Sequence, residues 1–133
     1  MMESAYSSPY TGKQGTCTAE PRKGRGKIDG YTWIDTGSVA ALKTGIARGP
    51  TSVSVNGSSS YFSQYREGVI NSEYCSTRPN HAVTAVGYTS EYYIIKNSWN
   101  TWWGENGYAK IAIIGDGEGI CGIQNSSNAP YIL

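Results

Sequence analysis

Two residues in this 133-residue chain have the types and the spacing for proton-transfer chemistry: its single histidine, His81, and Asn97. An imidazole titrates near neutrality, so it can take a proton from a thiol and return it to a leaving amine. It does this well only when held in one orientation and tautomer, which a side-chain amide oxygen achieves without adding a full charge. Alone, a histidine beside an apolar strand reads as an ordinary structural residue. The setting argues otherwise. His81 opens one alternating stretch, in Asn80-His81-Ala82-Val83, and Asn97 closes the next, in Lys96-Asn97-Ser98-Trp99. If the two stretches pair as a hairpin, the histidine and the amide become neighbours. Trp99 is then placed to cover their contact and exclude water, strengthening it in lower dielectric.

The elements that must position this pair are written in the periodicity. Residues 82–88 and 92–96 read as strands separated by Thr89-Ser90-Glu91, a hairpin length. Residues 107–113 read as a third strand, and Thr51-Ser52-Val53-Ser54-Val55 alternates with period two. Asp35, Thr36 and Ser38 are N-cap candidates for a helix over 38–48, where Val39, Leu42 and Ile46 share a face and Gly49-Pro50 ends the run. Gly45 inside it costs about 1 kcal/mol relative to alanine, so packing must hold this helix. A short strand is expected near residues 30–33 and a helical turn near 61–65. Residues 1–36 are otherwise polar and irregular, as is most of 56–80. The expected class is α+β, dominated by antiparallel strands, with one amphipathic helix.

Composition narrows the function. A net charge of +1 argues against a nucleic-acid partner, which needs concentrated positive charge. The basic cluster Arg22, Lys23, Arg25 and Lys27 is interleaved with Gly24 and Gly26 and reads as a solvated loop. No apolar run approaches the roughly 20 residues of a membrane span, and Met1-Met2-Glu3-Ser4 shows no secretory-signal pattern. Eleven tyrosines and four tryptophans against one phenylalanine favour strands and wet clefts. The cysteines are Cys17, Cys75 and Cys121, an odd count that hints at a partner outside the chain. Three buried free thiols are the alternative. One histidine and no Cys-x-x-Cys pair leave no expected metal site or cofactor.

Asn80-His81-Ala82-Val83 with Val86-Gly87-Tyr88, then Ile95-Lys96-Asn97-Ser98-Trp99, then Trp103-Gly104-Glu105-Asn106-Gly107-Tyr108 closely resembles the C-terminal signature of the papain family. The resemblance extends to Gly49-Pro50-Thr51-Ser52-Val53, to Cys121-Gly122-Ile123 with Pro130-Tyr131, and to Pro9-Tyr10-Thr11-Gly12 with Cys17. It implies a papain-like fold, C-terminal half: a β-barrel-like antiparallel domain over 37–133, preceded by an inter-lobe strap over 1–36. By the same resemblance His81 is the catalytic base and acid, Asn97 orients it and Trp99 shields the pair. Trp103 resembles an aromatic on the leaving-group side. Ser54, Pro79, Ala82 and Ser126 fall where the family lines the pocket for the side chain upstream of the reacting residue; their small size suggests a roomy pocket. Cys75 and Cys121 should form a disulfide, and Cys17 matches a cysteine whose usual partner lies in the other lobe.

In that family the nucleophilic cysteine sits about 130–150 residues before the histidine and asparagine, which places it roughly 50–70 positions ahead of Met1. None of the three cysteines here substitutes for it. Two departures stand out. Asn100 and Trp102 occupy positions where the family has small glycines, and Ser7-Ser8 breaks the usual compact spacing. Two functional readings follow. The chain is the His/Asn-bearing half of a cysteine endopeptidase, inactive alone, whose partners are a Cys-bearing N-terminal lobe and a peptide or protein substrate. Alternatively, it is a non-catalytic papain-like domain serving binding or assembly, a choice Met1-Met2 as a true start would favour. A bare half-cleft should expose an apolar, aromatic face. Disulfide logic and the resemblance point to a lysosome-like vacuole or to secretion.

Overall fold

Alternation is strongest in stretches between residues 51 and 112, and the middle of the sheet is built there. The computed structural model describes residues 11–23 and 26–133. Met1-Met2, Ser7-Ser8, Pro9, Tyr10, Gly24 and Arg25 therefore lie outside the described residues. In chain order the elements are β1 (Gly30–Trp33), α1 (Val39–Arg48), β2 (Thr51–Val55), α2 (Ser60–Ser63), β3 (Val69–Ile70), β4 (His81–Tyr88), β5 (Tyr92–Lys96), β6 (Tyr108–Ala112) and β7 (Ser127–Tyr131). The strands form one sheet ordered β1-β7-β2-β4-β5-β6-β3, antiparallel except for the parallel pair β3–β6. Two of these strands were not expected. β7 carries Asn128 and Pro130, poor strand formers, and it forms because both β1 and β2 pair with it. β3 is a two-residue pairing within a segment that is otherwise irregular.

The two faces of the sheet differ. Thr51, Ala85, Ile95 and Ala109 lie directly opposite one another across four strands, and none is more than 1% exposed. Val53, Val55, Val83, Tyr93 and Ile111 complete this covered face. Fully burying each large side chain contributes roughly 1.5–3 kcal/mol. The helix α1 packs near β4 and β7, burying Leu42, Gly45 and Ile46. Gly45 is explained by close approach: a Cβ there would sit 2.5 Å from Ile34 Cδ1. Ser38 caps the helix by accepting from the Ala41 N–H, and Asp116 Oδ1, from a distant loop, accepts from the Val39 N–H.

The other face is open. Trp33, Asn128, Ser52, Thr84, Lys96 and Tyr108 form a row across six strands, every one exposed or half-buried. Ser54 lies opposite Ala82 on the same face. Aromatic residues stand on this face at β1, where Tyr31 and Trp33 pack edge to face with 5.7 Å between ring centroids, and on β6, at Tyr108. On β2 and β4 between them, Ser52, Ser54, Ala82 and Thr84 are small, so the apolar, aromatic face expected of a half-cleft is present in part.

The irregular segment before β4 is tied down by the Cys75–Cys121 disulfide. Thr77 Oγ1 donates to Glu118 Oε2, and Asn125 Nδ2 donates to the Thr77 carbonyl. Gly122 lets the two segments touch; its φ is +75° and a Cβ would sit 2.5 Å from the Thr77 carbonyl oxygen.

Candidate active site

His81 and Asn97 meet where β4 begins and β5 ends. The β4–β5 register places Thr84 opposite Lys96, so His81 lies just before the paired stretch and Asn97 just after it. The turn between them is closed by the Thr89 N–H donating to the Tyr92 carbonyl, and a bulge between Ala85 and Gly87 twists the ribbon. His81 Nε2 lies 2.8 Å from Asn97 Oδ1. The Ser98 N–H donates to the same Oδ1 at 2.7 Å. A backbone N–H can only donate, so the amide atom facing both groups is its oxygen. That oxygen only accepts, which holds the imidazole proton on Nε2 and leaves Nδ1 with its lone pair. Among the described residues no hydrogen bond reaches Nδ1. An imidazole so held can take up and release a proton at Nδ1.

Aromatic rings enclose the pair. The Trp99 ring stacks on His81 at 4.7 Å between centroids, tilted by 25°. Trp103, only 1% exposed, supports Trp99 edge to face at 5.6 Å. It is a core residue under the site and does not face the cleft. Phe62, from α2, contacts all three rings: His81 at 6.1 Å, Trp99 at 5.6 Å and Trp103 at 5.1 Å. On its other side the imidazole meets the β2–α2 turn, where a Cβ on Gly57 would come within 2.7 Å of His81 Cβ. Asn80 fixes that turn, accepting from the Gly57 N–H and donating to Ser58 Oγ. Asn97 Nδ2 and Trp103 Nε1 are buried donors with no acceptor among the described residues.

The loop that carries Trp99 and Trp103 is anchored at both ends. The Asn97 N–H donates to the Gly107 carbonyl, and the Gly107 N–H donates to the Trp103 carbonyl. Glu105 ties the loop to the segment after α2: its carboxylate accepts from Lys110 Nζ, from the Tyr65 hydroxyl and from the Gly68 N–H. The Lys110 ammonium, then the Tyr65 hydroxyl, hold the Glu105 carboxyl below its ordinary range. Burial, then the Glu105 charge, push the Tyr65 hydroxyl far above its usual value. A carboxyl depressed in the folded state stabilises it above the ordinary carboxyl value of 4.5, and that contribution is lost as pH falls through the lower folded value. Glu105→Gln is therefore expected to flatten the fall in unfolding free energy below that pH, measured by urea titration. An unaltered acid limb would remove Glu105 from this role.

Ser54, Ala82 and Ser126 come together. Ser54 and Ala82 are cross-strand partners, and the Ser54 N–H donates to the Ser126 carbonyl. Pro79 is exposed, one residue before Asn80, whose N–H donates to the Val55 carbonyl. A shallow groove on the open face is lined by Ser52, Ala82, Thr84, Lys96, Asn97 and Ser98. Cys75 and Cys121 are bonded to each other, and Cys17 is exposed and unpaired among the described residues. Among the described residues no group of three or more His, Cys, Asp or Glu side chains is placed to hold a metal ion, and no helix is long and apolar enough to cross a membrane. Phe62, Gly57, Asn80 and Glu105 were not singled out by the sequence reading. Glu105 stood inside a recognised motif. Phe62 had one signal, as the sole phenylalanine among many tyrosines.

A family model described as papain family cysteine protease matches residues 1–131. A cathepsin L-like proteinase of Fasciola hepatica is 39% identical over 98% of this chain and 41% of its own length. Mexicain of Jacaratia mexicana is 40% identical over 92% of this chain and 58% of its own. The crystal structure of the Carica candamarcensis cysteine protease CMS1MS2, in complex with E-64, superposes with a TM-score of 0.82 at 38% identity, covering 93% of this chain and 59% of that one. The chain thus spans roughly two fifths to three fifths of the length of these relatives.

Proposed function

The chain belongs to the papain family of cysteine proteases, and from that premise we propose that it supplies the imidazole and its orienting amide to a peptidase whose nucleophilic cysteine lies on a separate lobe. The 2.8 Å contact between His81 Nε2 and Asn97 Oδ1, with Nδ1 left open, carries the proposal. In the proposed reaction Nδ1 takes the proton from the partner thiol. The thiolate–imidazolium pair is favoured because each charge stabilises the other. The thiolate attacks the peptide carbonyl, and the imidazolium gives its proton to the departing amine as the C–N bond breaks. Water then hydrolyses the thioester, with Nδ1 accepting its proton and the thiolate leaving.

Supporting the two-lobe reading, the row from Trp33 to Tyr108 leaves one side of the sheet uncovered, and the chain matches only 41% and 58% of the length of two relatives. The Cys-bearing lobe is proposed to cover that side, with residues 1–36 as the strap and exposed Cys17 bonding across the junction. Small Ser54, Ala82 and Ser126, with Pro79, would accept an apolar or aromatic side chain upstream of the reacting bond. The disulfide suits an oxidising compartment, lysosomal, vacuolar or extracellular. One observation favours a non-catalytic binding domain instead: two of the three cysteines are locked together, and none of the three has the nucleophile's motif.

Intact-mass analysis of native material treated with an active-site thiol label separates these readings. A second or longer chain carrying the label, with Cys17, Cys75 and Cys121 unlabelled, is expected. A single folded, monomeric chain of this sequence with no label would refute the peptidase reading. Within an active protein, Asn97→Ala removes one hydrogen bond to a charged imidazolium, worth about 1.5–3 kcal/mol. Because 1.4 kcal/mol is a decade, kcat/KM should fall roughly ten- to a hundredfold. A loss under twofold would show that Asn97 does not orient the ring.

A further inference from the structure

Trp102 is 68% exposed, yet its backbone is held in place. Arg66 Nη1 donates to the Trp102 carbonyl, the next residue is buried Trp103, and the preceding turn is set by Asn100 at φ +68°, whose Oδ1 accepts from the Thr101 N–H. Exposed apolar side chains standing alone need no explanation. This one stands on a pinned loop three residues after Trp99, the ring stacked on His81.

The direction of the chemistry says what passes over that loop. The imidazolium donates its proton to the amine that departs, so the residues leaving with that amine lie on the imidazole's side of the broken bond. Two walls flank the imidazole: the Gly57 turn and the loop begun by Trp99. We infer that Trp102 is a specificity-determining residue on the leaving-group side, offering its indole to a large apolar or aromatic residue in the first two positions after the scissile bond. This rests on the peptidase reading above. An exposed indole on a held backbone presents aromatic area with only its two side-chain torsions to order, which suits selection of such residues.

The acyl-enzyme offers a direct readout. An amine that replaces water attacks the thioester carbonyl, the C–N bond forms, the C–S bond breaks, and the amine proton passes through the imidazole. The capturing amine must occupy the leaving-group side. In the complete native protein, phenylalaninamide should capture the acyl group about tenfold better than glycinamide at equal concentration. Trp102→Ala should bring that ratio to within about twofold, while Trp102→Phe keeps most of it. A merely structural defect would lower both captures together and leave the ratio standing. Wild-type protein that forms an acyl-enzyme but shows no preference, or a Trp102→Ala ratio equal to wild type, overturns this inference alone. Absence of any acyl-enzyme overturns the peptidase reading, and this inference with it.

Discussion

Replacing His81 with alanine in the proposed complete peptidase should lower kcat/KM for peptide hydrolysis by about a thousandfold or more. Two losses combine. Without the imidazole, a thiol at its ordinary pKa of about 8.5 is only a few per cent thiolate at neutral pH. The departing amine also loses its proton donor, and an unprotonated amide nitrogen is a poor leaving group. The fold should survive, because His81 is partly exposed at a strand end and its β4 backbone bonds do not depend on the side chain. Its removal leaves a gap bounded by Trp99, Phe62 and the Gly57 turn. Added imidazole entering that gap should restore part of the rate. Turnover equal to wild type would remove His81 from the mechanism.

The largest expected effect on stability belongs to the disulfide. Cys75 and Cys121 are 46 positions apart, and closing a loop of that length stabilises the folded state by about 4 kcal/mol in the chain-entropy description. Against a typical total of 5–15 kcal/mol, replacing both with alanine should remove a large part of the margin. Urea unfolding followed by tryptophan fluorescence measures it. The bond joins the segment leading into His81 to the turn leading into β7, so the site should loosen before the far side of the sheet. A loss below about 1 kcal/mol would mean that the Thr77, Glu118 and Asn125 contacts already fix the junction.

What was legible in the sequence was whatever alternates or repeats locally. The α1 helix and strands β2, β4, β5 and β6 stand within a residue or so of their expected limits, because burial on one side writes a period into each. β7 was hidden because Asn128 and Pro130 carry no such period, and its place is set by neighbours distant in the chain. The nearness of His81 and Asn97 followed from hairpin geometry. The rings around them did not, since Phe62 comes from a short turn whose four residues carry no period. That residue still left a trace in composition. Buried to 0% among Trp99, Trp103 and His81, it occupies a site where a tyrosine's hydroxyl would need a partner.

Among the described residues the imidazole is held by the Asn97 oxygen, the Ser98 N–H behind it, the Trp99 and Phe62 rings and the Gly57 turn. If the nucleophile sits on a separate lobe, as proposed, the ring is oriented before the sulfur arrives. A peptidase divided as proposed should withstand a nick between its pieces and regain turnover when they are mixed, behaving as a complementation pair whose output reports association.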